Sequence, residues 1–66
     1  MKTINFNDGA TRDIGMDAIF EAIDTSEWIE DYVDACVSFV SDPYFNKAVE
    51  ILKAKNIVVD RDYSVS

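Results

Sequence analysis

Glu27-Trp28-Ile29-Glu30-Asp31-Tyr32-Val33-Asp34-Ala35-Cys36-Val37-Ser38-Phe39-Val40-Ser41 is the stretch on which the fold turns. Wound as a helix at about 100° per residue, it gathers Trp28, Ala35, Phe39, Tyr32, Cys36, Ile29, Val40, Val33 and Val37 into an apolar arc of roughly 200°. Glu27, Glu30, Asp31, Asp34, Ser38 and Ser41 fill the remainder. An arc wider than the ~100° stripe of a surface helix predicts a central helix, packed on two sides or packed on one and docked to a partner on the other. Asp24-Thr25-Ser26-Glu27 opens it, with Asp24 as N-cap and Glu27 three residues on, in the form of a capping box.

Toward the N-terminus, residues 2–7 alternate Lys2, Ile4 and Phe6 with Thr3, Asn5 and Asn7, the period of a half-buried strand. Asp8-Gly9 reads as a turn, and a short second strand through Ala10 to Arg12 would complete a hairpin. From Asp13, a plausible N-cap, to Ile23 the spacing of Met16, Ile19, Phe20 and Ile23 predicts a helix with Asp17, Glu21 and Asp24 on another face. Gly15 weakens its first turn.

Toward the C-terminus, Asp42 as N-cap and Pro43 at the first helical position open a third helix that buries Phe45, Ala48, Val49 and Leu52. Lys53 and Lys55 suit its C-terminal dipole, and Asn56 suits a left-handed cap. Ile57 to Val59 are β-branched, and Val59, Arg61, Tyr63 and Val65 alternate with polar residues, which predicts a last strand pairing with the first. The expected fold is a small α+β domain over residues 1–66, of order β(β)αααβ, with two or three short strands covered on one face by three helices.

Composition removes several classes of function. There is no His, and Cys36 stands alone, so neither a Cys/His zinc site nor an ordinary Ser/His or Cys/His nucleophile pair can form. The helical wheel places Cys36 in the middle of the apolar arc, as a small core residue. Asp60-Arg61-Asp62-Tyr63-Ser64-Val65 begins like a calcium loop, but its sixth position is Val65 where such loops require Gly. Ser26 stands near the start of the second predicted helix, where acyl carrier proteins carry their prosthetic arm, yet the Asp-Ser-Leu motif of that family is missing. No catalytic residue, cofactor or metal is expected. No run approaches the roughly 20 apolar residues of a membrane span, and the chain reads as soluble and cytoplasmic. A net charge of −7 opposes direct binding to nucleic acid or to an anionic membrane.

The charge is also segregated. Between Arg12 and Lys47 lie nine acidic residues and no basic one, while the rest of the chain holds six basic residues against four acids. Asp42 is accounted for as a cap. On the predicted helices Asp17, Glu21 and Asp24, then Glu27, Glu30, Asp31 and Asp34, fall into two acidic stripes. Like charges at these spacings repel by about 0.2–0.5 kcal/mol per exposed pair. One reading is a solvated, solubilising face. The other is a linear negative array that imitates a phosphate backbone and occupies the basic surface of a protein or nucleoprotein complex. An alternative of another class is an accessory subunit or homodimer docking through Trp28, Tyr32, Phe39 and Tyr44.

Length, acidity, α+β make-up and lack of catalytic groups together resemble the small phage-encoded inhibitors of host defence and of host nucleic-acid machinery, anti-CRISPR proteins and DNA mimics among them. The resemblance is one of class. It implies a non-catalytic inhibitor and assigns no residue, because no family motif is present.

Overall fold

Ile4 and Phe6 alternate with Thr3 and Asn5 to make β1 (Thr3–Phe6), in the computed structural model, which describes residues 2–22 and 28–66. Asp8 does not turn the chain into a hairpin. Its Oδ1 accepts a hydrogen bond from the Thr11 backbone N–H at 2.7 Å, the geometry of an N-cap, and Gly9 begins α1 (Gly9–Ala22). The expected strand over residues 10–12 is therefore helix, and Asp13 lies inside the helix rather than at its start. Gly15 sits mid-helix at a close approach: a Cβ there would stand 2.8 Å from Phe6 and 3.1 Å from Leu52. Met16 and Ile19 are buried as predicted, whereas Phe20 is exposed. Ile23 lies outside the described residues.

The central helix predicted from the Asp24 cap to about Ser41 is not formed among the described residues. The described part of that stretch is a hairpin, β2 (Ile29–Val33) and β3 (Cys36–Phe39), paired antiparallel with Asp31 opposite Ser38, Tyr32 opposite Val37 and Val33 opposite Cys36. A bulge between Ile29 and Asp31 shifts the register. Asp34 and Ala35 make the two-residue turn, with Asp34 in the left-handed region at φ 52°, a conformation Asp tolerates better than most residues. Val37 and Phe39 point to the core and Cys36 and Ser38 away from it, a period of two in place of the expected 3.6. Among the described residues there are two helices, not three.

Ser41, extended at φ −156°, is the N-cap of α2 (Asp42–Ala54), one residue before the expected position, so Asp42 and Pro43 occupy the first turn. The C-terminal cap follows the prediction. Asn56 takes φ 62°, its N–H reaches the Lys53 carbonyl at 3.0 Å, and the Ile57 N–H reaches the Leu52 carbonyl at 2.9 Å, a Schellman motif. The last strand is shorter than predicted. Residues 58–62 form a turn held by the Asp62 carboxylate on the Val58 N–H (2.9 Å) and the Asp62 N–H on the Val58 carbonyl (2.9 Å), and β4 is confined to Tyr63–Val65. It pairs antiparallel with β1, as expected, with Phe6 opposite Tyr63 and Ile4 opposite Val65.

The sheet is antiparallel throughout, in the order β2-β3-β1-β4, and the chain order βαββαβ gives it split βαβ connectivity. Ile4, Phe6, Val37, Phe39 and Tyr63 from one sheet face join Met16, Ile19, Phe45, Ala48, Leu52 and Ile57 in a single core. Phe39 meets Phe45 edge to face with ring centroids 6.1 Å apart, and Phe6 meets Tyr63 likewise at 5.9 Å. The opposite face is open and carries Thr3, Asn5, Cys36, Ser38 and Ser64, which occupy the outward positions of the same registers. Among the described residues no helix is long and apolar enough to cross a membrane.

Candidate partner-binding surface

Of the seven carboxylates singled out in the sequence, the five that are described do not fall into two helical stripes. Asp17 and Glu21 lie one turn apart on the solvent side of α1, and both are exposed. Asp24 and Glu27 fall outside the described residues, as does Ser26. Glu30 and Asp31 are exposed on the edge strand β2, and Asp34 is exposed in the β2–β3 turn. Strand geometry separates successive side chains onto opposite faces. Asp31, opposite Ser38, points to the open face of the sheet, so the hairpin acids line an edge instead of repeating at one helical turn.

The cations are placed elsewhere. Arg12 pairs with its neighbour Asp13 at 3.1 Å, and Arg61 pairs with its neighbour Asp62 at 2.8 Å. The Lys2 ammonium lies 5.0 Å from the Phe45 ring centroid and that of Lys47 5.4 Å from the Trp28 ring centroid, cation–π geometry in each case. Among the described residues no ion pair involves Asp17, Glu21, Glu30, Asp31 or Asp34. Asp8 and Asp62 have carboxyls held below the usual carboxylate range. For Asp8 the main cause is the Thr11 backbone N–H, and for Asp62 it is the Arg61 guanidinium followed by the Val58 N–H. Both support local folds and stand apart from the acidic surface.

The aromatic residues proposed as docking anchors divide. Phe39 is fully buried, and Trp28 is nearly so, stacked on the partly buried Tyr44 at 4.8 Å. Only Tyr32, at 42% exposure, is open to a partner to any large degree. Cys36 is exposed on the open sheet face and not in the core, because the segment is a strand; its Sγ donates to Asn5 Oδ1 at 2.9 Å. Around it Thr3 and Ser38 hydroxyls bond at 2.9 Å, and the Asn5 amide donates to Ser66 Oγ at 3.1 Å, so over β1 and β3 the open face carries small polar groups bonded to one another.

A feature the sequence reading missed is a groove between α1 and α2, about 500 Å³, lined by Ala22, Trp28, Asn46, Lys47, Glu50 and Ile51. It continues past Ala18, Glu21, Ala54 and Lys55. The alanines on facing helix sides are its signal in the sequence, since they leave the helix-helix seam shallow at the surface. Its mixed charges and lack of a nucleophile–base pair give it no evident chemistry. Among the described residues no three His, Cys, Asp or Glu side chains are placed to hold a metal. Comparison of the chain with protein-family models, with curated proteins and with solved structures found no match.

Proposed function

We propose that the protein is a non-catalytic binding protein whose carboxylates engage a basic surface of a partner, of the kind that otherwise holds nucleic acid. One observation carries the reading. Asp17, Glu21, Glu30, Asp31 and Asp34 are all exposed and, among the described residues, outside every ion pair, while both arginines pair with a sequence neighbour and two lysines lie over aromatic rings. Intramolecular neutralisation is thus confined to places where it does not touch these acids. With a net charge of −7, such a surface steers a cationic partner toward it and repels nucleic acid itself. The open sheet face supports the same exclusion, since it presents neither the aromatic platform nor the cations that single-stranded nucleic acid requires. Inhibition of a host nucleic-acid complex by a phage-encoded protein is the setting suggested by the class-level resemblance.

The alternative, an accessory subunit or homodimer docking through apolar surface, loses Trp28 and Phe39 as anchors and keeps the exposed Tyr32 and the partly buried Tyr44. Two double reversals separate the readings: Asp17→Lys with Glu21→Lys, and Glu30→Lys with Asp34→Lys. Capture of nucleic-acid-binding proteins at low ionic strength, released by salt and lost in the reversed variants, is the expected result. Capture that survives both reversals and high salt overturns the acidic-surface mechanism, and a concentration-dependent dimer by sedimentation would move the account to the alternative.

A further inference from the structure

An open four-stranded sheet has two edges, here β2 and β4. The chain itself covers the start of one of them, at Tyr63. Val59 forms an isolated bridge to Tyr63, and the Asp60 N–H donates to the Tyr63 carbonyl at 2.7 Å, so the segment before β4 lies against its outer side. At the other edge, among the described residues, nothing pairs with the outer side of β2.

Which groups of β2 face outward follows from β3. The Phe6 N–H donates to the Ala35 carbonyl and the Phe39 N–H to the Lys2 carbonyl, so at Ala35, Val37 and Phe39 the β3 backbone turns to β1. Cys36, Ser38 and Val40 therefore turn to β2, and the Val40 N–H does donate to the Trp28 carbonyl at 2.9 Å. Their partners Val33 and Asp31 face inward. Tyr32, between them, directs both its N–H and its C=O to solvent. Unpaired strand edges of this kind are templates for a further strand.

Charge decides which strand. Glu30, Asp31 and Asp34 flank the outward backbone of Tyr32, and the half-exposed side chains of Tyr32 and Val33 lie beside them. A second copy adding its own β2 would set these carboxylates against their equals, and like charges opposite one another on adjacent strands are destabilising. An extended segment with Lys or Arg at alternate positions gains backbone bonds and opposite-charge pairs together. We propose that the β2 edge is a β-augmentation site for a basic extended segment of a partner protein; this rests on the acidic-surface reading given above and names the partner's form.

The test uses the isotopically labelled protein and two short capped peptides, one alternating lysine with threonine and one alternating glutamate with threonine. The lysine peptide is expected to bind, to shift the amide resonances of β2, and to slow hydrogen exchange at the Tyr32 amide. The glutamate peptide is expected not to bind. Tyr32→Pro removes the outward N–H at a position where an edge strand tolerates proline, and should weaken binding about tenfold, while Tyr32→Val, which keeps the N–H, should bind within about twofold of wild type. Unchanged exchange at Tyr32 with bound peptide overturns strand addition and needs no variant to fold. Binding that survives Tyr32→Pro in a folded variant but is lost on Glu30→Lys with Asp34→Lys also overturns strand addition, and leaves the acidic-surface reading standing. Equal binding of both peptides overturns that reading as well.

Discussion

Gly15→Ala sets two effects of similar size against each other, and the structure decides the sign. In the middle of α1, alanine is favoured over glycine by about 1 kcal/mol through helix propensity alone. The new Cβ, however, would stand 2.8 Å from Cε1 and 3.0 Å from Cζ of Phe6, and 3.1 Å from Cδ2 of Leu52. Neither neighbour is a free end. Phe6 is buried edge-on against Tyr63, and Leu52 is wholly enclosed in the same cluster. Overpacking of a close-packed core costs about 1–3 kcal/mol, so the expected net effect is a loss of about 1 kcal/mol and a melting temperature lower by roughly 4–8 °C. Gly9→Ala is the control, because there the nearest atom to an added Cβ is the Arg12 guanidinium at 3.5 Å, and its stability should stay within about 0.5 kcal/mol of wild type. Urea unfolding followed by circular dichroism measures both. A Gly15→Ala protein more stable than wild type would refute the close approach of α1 to β1 and α2, and with it the packing of the helical layer on the sheet.

Three further outcomes follow from named contacts. The Asp62 carboxyl is held below the usual range of about pH 4 by Arg61 and the Val58 N–H, so its contribution to stability is present above that range and is lost as pH falls through its lowered value; Asp62→Asn should flatten the acid limb of a melting-temperature profile, and an unchanged acid limb would contradict the assignment. Trp28, the chain's one tryptophan, should emit at blue-shifted wavelength and resist acrylamide quenching in the native state, since it is stacked on Tyr44 and nearly buried; a solvent-exposed spectrum would return it to the pool of docking anchors. Cys36 should react with a thiol reagent in the native protein without prior unfolding, whereas protection until denaturation would place it in the core that the helical reading assigned to it.

Where local chemistry and tertiary demand agree, the chain is readable. The alternation of residues 2–7, the Phe45/Ala48/Leu52 face of α2, the left-handed Asn56 and the pairing of the last strand with the first all follow from spacing and cap chemistry. Asp8-Gly9 misled because the same dipeptide suits a hairpin turn and a helix N-terminus, and the Asp8 side chain bonding Thr11 favours the second. The hairpin was hidden by an apolar content that fills any wheel: nine apolar residues over positions 28–40 yield a broad arc whether or not a helix exists. The signals against a helix were the β-branched and aromatic residues of Ile29, Tyr32, Val33, Val37, Phe39 and Val40, and the alternation of Cys36 and Ser38 with Val37 and Phe39. Exposure of Asp17, Glu21, Glu30, Asp31 and Asp34 was legible from their type, but the arrangement of the last three was not, because it depends on whether the chain between Trp28 and Val40 turns back at Asp34.

Everything proposed for Glu30, Asp31 and Asp34 stands on that turn, and one measurement addresses it directly. Nuclear Overhauser contacts over residues 28–41 should show a strong Hα–Hα cross-peak between Tyr32 and Val37, the close pair between the hydrogen-bonded partners Asp31–Ser38 and Val33–Cys36, together with slow-exchanging amides at Asp31 and Val33 and a fast one at Tyr32. A continuous ladder of i to i+3 contacts through the same residues, with no cross-peak from Tyr32 to Val37, would mean a helix, and would remove the acidic sheet edge altogether.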